Sequence, residues 1–123
     1  MTIQEQYELL EKTVRGYNPA ADIAQIRAAF EFANKAHQEQ KRKSGEPYIT
    51  HPLAVAQIVA EELRLDSESI EAALLHDVIE DTAATEEQVA KLFSPTVAAL
   101  VEGVSKLTRI QYATKEDEQM ENL

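Results

Sequence analysis

Apolar residues recur along this chain at helical spacing, and no segment shows the period-two alternation that a half-buried strand requires. Ile3, Tyr7, Leu10 and Val14 form a first stripe, which Gly16 is predicted to end. Ile23, Ile26, Phe30, Ala33 and His37 line a second, longer one. Leu53, Val55, Ile58, Val59 and Leu63 spread over two faces, as expected of a helix packed on two neighbours. Val97, Leu100, Val101, Val104 and Leu107 give the most regular stripe of all. Punctuation agrees with periodicity. Asn18-Pro19, His51-Pro52 and Ser94-Pro95 each read as an N-cap followed by proline at the first helical position. Asp66 or Ser67 is predicted to cap a further helix, and Thr85-Glu86-Glu87-Gln88 is a capping-box pattern. These signals predict an all-α protein, an orthogonal bundle of helices joined by short turns.

Composition narrows the class further. With 123 residues, 44% of them hydrophobic, the chain can build one domain with a core but not two. It has no cysteine, which excludes disulfides, thiolate catalysis and cysteine-based zinc sites. No apolar run approaches membrane-spanning length and the N-terminus lacks a signal-peptide pattern, so a cytoplasmic protein is expected. The net charge of −10 disfavours non-specific binding to nucleic acid or to an anionic membrane. An anionic substrate would therefore need a bound cation or a local cluster of bases.

Leu74-Leu75-His76-Asp77-Val78-Ile79-Glu80-Asp81-Thr82 carries the chemistry. Wound as one helix with His76 at the origin, it places Glu80 at roughly 40°, Asp77 at about 100° and Asp81 at about 140°. Ala72, Leu74, Leu75, Val78 and Ile79 fall on the opposite side. An acidic helix face is ordinarily just solvated. Here, however, three carboxylates and an imidazole crowd one flank and repel unless a cation sits among them. An adjacent His-Asp pair can give one nitrogen and one oxygen to a divalent cation, and Glu80 and Asp81 stand close enough to handle the protons of a water there.

Two other places stand out. Lys41 to Thr50 breaks the helical pattern, with Gly45 and Pro47 marking a loop that three consecutive bases open. Those bases suit either a helix C-terminus or an anion-binding loop, and spacing leaves both readings open. His51 takes a capping position for which histidine is poorly suited, which hints at another purpose. His37, on an apolar stripe, reads as a core or helix-end histidine.

Arg42-Lys43-Ser44-Gly45-Glu46-Pro47-Tyr48-Ile49-Thr50-His51-Pro52 and His76-Asp77-Val78-Ile79-Glu80-Asp81-Thr82 together resemble one family. It is the hydrolase domain of bifunctional Rel/SpoT-type enzymes that make and degrade the alarmone (p)ppGpp, within the HD phosphohydrolase superfamily. The resemblance runs from about Ala24 to the end, taking in Val104-Ser105-Lys106-Leu107 and Gln119-Met120-Glu121-Asn122-Leu123. It implies removal of pyrophosphate from the 3′ position of ppGpp or pppGpp to give GDP or GTP. It also implies a manganese ion held by His51, His76 and Asp77, with Glu80 and Asp81 handling the attacking water. Arg42, Lys43 and Ser44 would contact the guanine nucleotide, Arg42 by stacking on the ring. A different nucleotide substrate, or a non-catalytic regulatory module, are the competing expectations.

The chain departs from the family's pattern at one point. The family's last metal-ligating aspartate lies in a later helix, and no carboxylate here stands in an equivalent motif; Asp117 is a poor substitute. The expectation is therefore an N-terminal part of a larger enzyme, residues 1–123 forming a partial HD domain that stops before its last helices. Metal affinity and turnover should then be reduced, and uncovered apolar surface would invite dimerisation.

Overall fold

Helix α1 (Ile3–Tyr17) starts at a capping box, in which Thr2 Oγ1 accepts from Glu5 N–H while Glu5 Oε1 accepts from Thr2 N–H. The computed structural model describes residues 1–41 and 43–103. After α1 come α2 (Ile23–Ala36), α3 (Thr50–Ile58), a π-helical turn (Val59–Leu63), α4 (Ser67–Leu75), α5 (Val78–Asp81) and α6 (Glu86–Leu92), with helical backbone again over 95–103. Among the described residues there is no strand, only one isolated antiparallel bridge between Lys41 and Pro47. The all-α expectation holds there.

The predicted stripes of α1 and α2 supply much of the core, whereas Leu100 of the last stripe is 37% exposed. Tyr7, Leu10 and Val14 of α1 and Ile26, Phe30 and Ala33 of α2 are buried, with the Tyr7 and Phe30 rings stacked 4.4 Å apart. Helix α4 lies at the centre, packed on both α2 and α3, while α1 packs on α3. Ile70 and every residue from Ala72 to Leu75 are buried, so α4 is apolar almost all round, as a helix enclosed by others must be. Each fully buried leucine or isoleucine there contributes roughly 1.5–3 kcal/mol. Val97 and Val101 bring the 95–103 segment onto the same core. Val104 and Leu107 lie outside the described residues.

Several boundaries differ from expectation. Helix α1 runs through Gly16 and stops at Tyr17, where Asn18 N–H still bonds Val14 O. Asn18-Pro19 therefore closes α1 rather than opening α2. The cap of α2 is Asp22, whose carboxylate accepts from Gln25 N–H. Helix α3 begins at Thr50, one residue before His51, so His51 is inside the first turn and Pro52 follows it. Proline costs nothing there because the first four helical N–H groups have no intrahelical acceptor. The expected two-sided packing of α3 is corrected as well. Ile58 and Leu63 are 59% and 61% exposed, and Ala56 and Ala60 supply the buried edge instead. The π turn shifts the register between Ile58 and Leu63, and Arg64, at φ 48°, ends it.

Other starts match the sequence. Asp66 caps α4 through Ser69 N–H, and Thr85 with Gln88 completes the capping box of α6. Ser94 Oγ accepts from Val97 N–H and donates to Glu68 Oε2, tying the 95–103 segment to the start of α4.

Candidate metal centre

The stretch read as one helix is two. Helix α4 ends at Leu75 and α5 starts at Val78, with His76 and Asp77 in the turn between them. The cause is local. His76 Nδ1 donates to Ala73 O at 2.6 Å, the carbonyl that an uninterrupted helix would offer to Asp77 N–H. Asp77 then settles at φ −98°, ψ −4°, the sparsely allowed bridge region in which functional residues are often found. The apolar side survives the break: Ala72, Leu74, Leu75 and Val78 are buried, and Ile79 is partly so.

This break, together with the first turn of α3, brings the three candidate ligands together rather than one helical face. His76 Nε2 lies 3.1 Å from Asp77 Oδ2, and His51 Nε2, from the first turn of α3, lies 3.7 Å from the same oxygen. The His51 and His76 rings meet edge to face with centroids 5.5 Å apart. One ligand atom from each of His51, His76 and Asp77 falls within 4.8 Å of the other two. The Nδ1–H bond to Ala73 O fixes the His76 tautomer and leaves Nε2 as the atom aimed at Asp77, the usual arrangement of a metal-ligating histidine. Two imidazole nitrogens and a carboxylate oxygen fit a divalent ion of borderline-to-hard character.

The electrostatics match. Burial pushes the His76 imidazolium down, but its bonds to Asp77 and to the Ala73 carbonyl outweigh that and raise its pKa. Burial acts on Asp77 in the opposite sense, and the imidazole of His76, the hydroxyl of Tyr48 and the nearby His51 bring its pKa below the ordinary aspartate value.

His51, His76, Asp77 and Glu80 line one side of a cleft of about 530 Å³. Val55, Val59, Leu65, Ala72 and Leu100 form most of the remaining wall. Ser69 also reaches it. The expected charged flank facing a cleft is present, but not all its members share it. Asp81 does not line the cleft. It is exposed, its charge acts on His76, and it is hydrogen-bonded toward the centre through Tyr48, whose hydroxyl lies 2.8 Å from Asp77 Oδ2 and 3.1 Å from Asp81 Oδ2.

Of the basic loop, Lys43 and Ser44 are exposed and do not line this cleft, and Arg42 lies outside the described residues. The loop is anchored at Tyr48, whose N–H donates to Gln40 O and whose ring lies against His37. His37 is 2% exposed at the end of α2, with Nδ1 bonded to Gln40 Oε1, which is the core and helix-end role its stripe predicted. Two features were missed by reading residues one at a time. Tyr48 lies within the Arg42-to-Pro52 motif, but nothing in its spacing links it to Asp77. Glu71 is 3% exposed inside α4, and its pKa is pushed up to about 7 by burial first and then by Asp22, Glu68 and Asp66.

Comparison with known proteins agrees with this geometry. Residues 29–123 match the family model described as the HD domain. The chain is 51% identical over 116 residues to the bifunctional (p)ppGpp synthase/hydrolase SpoT of Escherichia coli (strain K12), covering 94% of this chain and 16% of that protein. It is 44% identical over 121 residues to the GTP pyrophosphokinase rsh of Brucella melitensis biotype 1, covering 98% of this chain and 16% of that one. The chain thus spans about a sixth of the curated relatives it matches. Among solved structures, a metazoan ortholog of SpoT described as hydrolysing ppGpp superposes with a TM-score of 0.62 at 39% identity, over 64% of this chain and 46% of that one. With the helical architecture, the adjacent His76-Asp77 pair and the matched span all in agreement, the chain belongs to the HD domain family.

Proposed function

We propose that this chain carries the hydrolase centre of a (p)ppGpp-degrading enzyme, residues 1–123 contributing to one HD phosphohydrolase domain. The reaction removes pyrophosphate from the 3′ position to leave GDP or GTP. The observation that carries the reading is the convergence of His51, His76 and Asp77 ligand atoms within 4.8 Å at the wall of a cleft. The relatives named as (p)ppGpp synthase/hydrolase and as guanosine-3′,5′-bis(diphosphate) 3′-pyrophosphohydrolase support the substrate.

His51, His76 and Asp77 would hold one divalent ion, for which manganese suits the mixed nitrogen and oxygen donors. When bound, it supplies positive charge against the phosphoryl oxygens and acidity to a nearby water. Glu80, which lines the same cleft, would be the group to orient a water and accept its proton. Asp81 assists from behind Tyr48. In a chain of net charge −10, Lys43 and Arg42 would supply local positive charge toward a polyanion, and the family resemblance gives Arg42, Lys43 and Ser44 as the residues that would contact the nucleotide, although Lys43 and Ser44 do not line the cleft.

The test is pyrophosphate release from ppGpp with and without Mn²⁺, beside GTP and ATP as controls. Mn²⁺-dependent release from ppGpp alone supports the assignment. Binding of ppGpp without any release would instead make this a nucleotide-binding module.

A further inference from the structure

Tyr48 touches the centre without belonging to its ligand set. Its hydroxyl has one proton and faces two carboxylate oxygens, Asp77 Oδ2 at 2.8 Å and Asp81 Oδ2 at 3.1 Å. The Asp77 oxygen it engages is the same one that faces both His76 Nε2 and His51 Nε2. A carboxylate oxygen has two lone pairs, so Oδ2 can accept from Tyr48 and still present a lone pair toward the imidazoles.

The phenol is itself held from behind. Its ring lies against the buried His37 ring with centroids 4.6 Å apart, and against His51 at 6.0 Å. His37 is fixed by Gln40 through Nδ1, and Gln40 O accepts from Tyr48 N–H. The end of α2 thereby holds the ring from the side away from Asp77 and Asp81.

We propose that Tyr48 is a positioning residue of the His51–His76–Asp77 centre, holding Asp77 Oδ2 toward the two imidazoles and linking the otherwise outlying Asp81 to it. This rests on the reading of those three residues as a metal site. It makes ion affinity depend on a side chain that never contacts the ion. Removing an outer partner of this kind typically lowers metal affinity or activity about 10- to 100-fold.

The experiment is titration of the protein with Mn²⁺, followed by calorimetry, in the wild type and in Tyr48→Phe. Phenylalanine keeps the ring against His37 and deletes only the hydroxyl. The expected result is a loss of Mn²⁺ affinity of about 10- to 100-fold at an unchanged melting temperature. Equal affinity in the two proteins overturns the positioning role while leaving the metal site intact. A wild type that takes up no Mn²⁺ overturns the metal reading itself, so the two failures are distinguishable. A second measurement needs no variant. Saturating Mn²⁺ draws charge from Asp77 and should perturb the near-ultraviolet absorption of the bonded phenol in the wild type. No tyrosine difference signal at saturation overturns the proposal even if Tyr48→Phe folds poorly.

Discussion

Two acids, one inside α4 and one just beyond its end, have pKa values shifted in opposite directions. Glu71, in the middle of α4, is 3% exposed and its pKa is pushed up to about 7. Asp77, just past the end of α4, is also largely out of solvent, yet its pKa lies below the ordinary value. Burial acts on both in the same direction; what differs is the company. Asp77 faces two imidazoles and a phenol hydroxyl, whereas the charged neighbours of Glu71 are Asp22, Glu68 and Asp66. Burial of a carboxylate does not make a ligand site. The groups around its oxygens decide the matter, and they come from three places: His76 at the break between α4 and α5, His51 in α3 and Tyr48 in the loop before it.

The strongest way to break this contrast is to remove the favoured acid. Asp77→Ala leaves His51 and His76 without their shared oxygen partner, so Mn²⁺ binding should fall below detection by calorimetry and turnover should be lost. If Asp77→Ala binds the ion as tightly as wild type, the centre lies elsewhere. Next in size is Glu80→Gln, which keeps the ligand set but removes a group that can accept a proton. Ion affinity should be preserved while pyrophosphate release slows by about 10²- to 10⁴-fold. An unchanged rate would show that Glu80 does not handle the water.

The unfavoured acid yields the third prediction. The folded pKa of Glu71 lies above its ordinary value of 4.5, so the folded state binds more protons than the unfolded chain between about pH 4.5 and 7. The stabilising effect of its protonated form is complete below that window and is lost as pH rises through about 7. The gap corresponds to on the order of 3 kcal/mol. Glu71→Gln should recover most of that at neutral pH and flatten the dependence of stability on pH, both measurable by urea denaturation. A variant no more stable than wild type above pH 7 would mean that water reaches Glu71 after all.

How much of this was legible in the sequence follows the same division. Periodicity found the core of α1 and α2 because Tyr7, Leu10, Ile26 and Phe30 repeat at the spacing that one buried helix face imposes. The caps at Asp66, Thr85 and Ser94 were legible because capping is a bond between residues close in the chain. Gly16 and Asn18-Pro19 misled, since a helix packed through Val14 and Tyr17 outweighs a weak local stop. His51, His76 and Asp77 are all legible as candidates, but the wheel that groups His76 and Asp77 with Glu80 and Asp81 assumes an unbroken helix, and His51 belongs to another helix. The His76 bond to Ala73 O, which spacing does not report, is what sets their positions. Tyr48 and Glu71 escaped for a related reason: each is defined by neighbours distant in sequence, Asp77 for the one, Asp22 and the helix packing for the other.

The smallest expected effect separates burial from company at Glu71 itself. Asp66 caps α4 by accepting from Ser69 N–H, and its charge also raises the Glu71 pKa. Asparagine caps a helix about as well as aspartate. Asp66→Asn should therefore leave the start of α4 in place while removing one like charge. Burial comes first among the causes and Asp66 last, so the midpoint of the pH-dependent loss of stability should move down only slightly. The midpoint is read by comparing urea denaturation of Asp66→Asn alone and combined with Glu71→Gln across the window. A midpoint that returned to the ordinary carboxylate range would reverse the ranking. Like charges, not exclusion of water, would then hold the proton on Glu71, and a cation placed among Asp22, Asp66 and Glu68 would make it resemble Asp77.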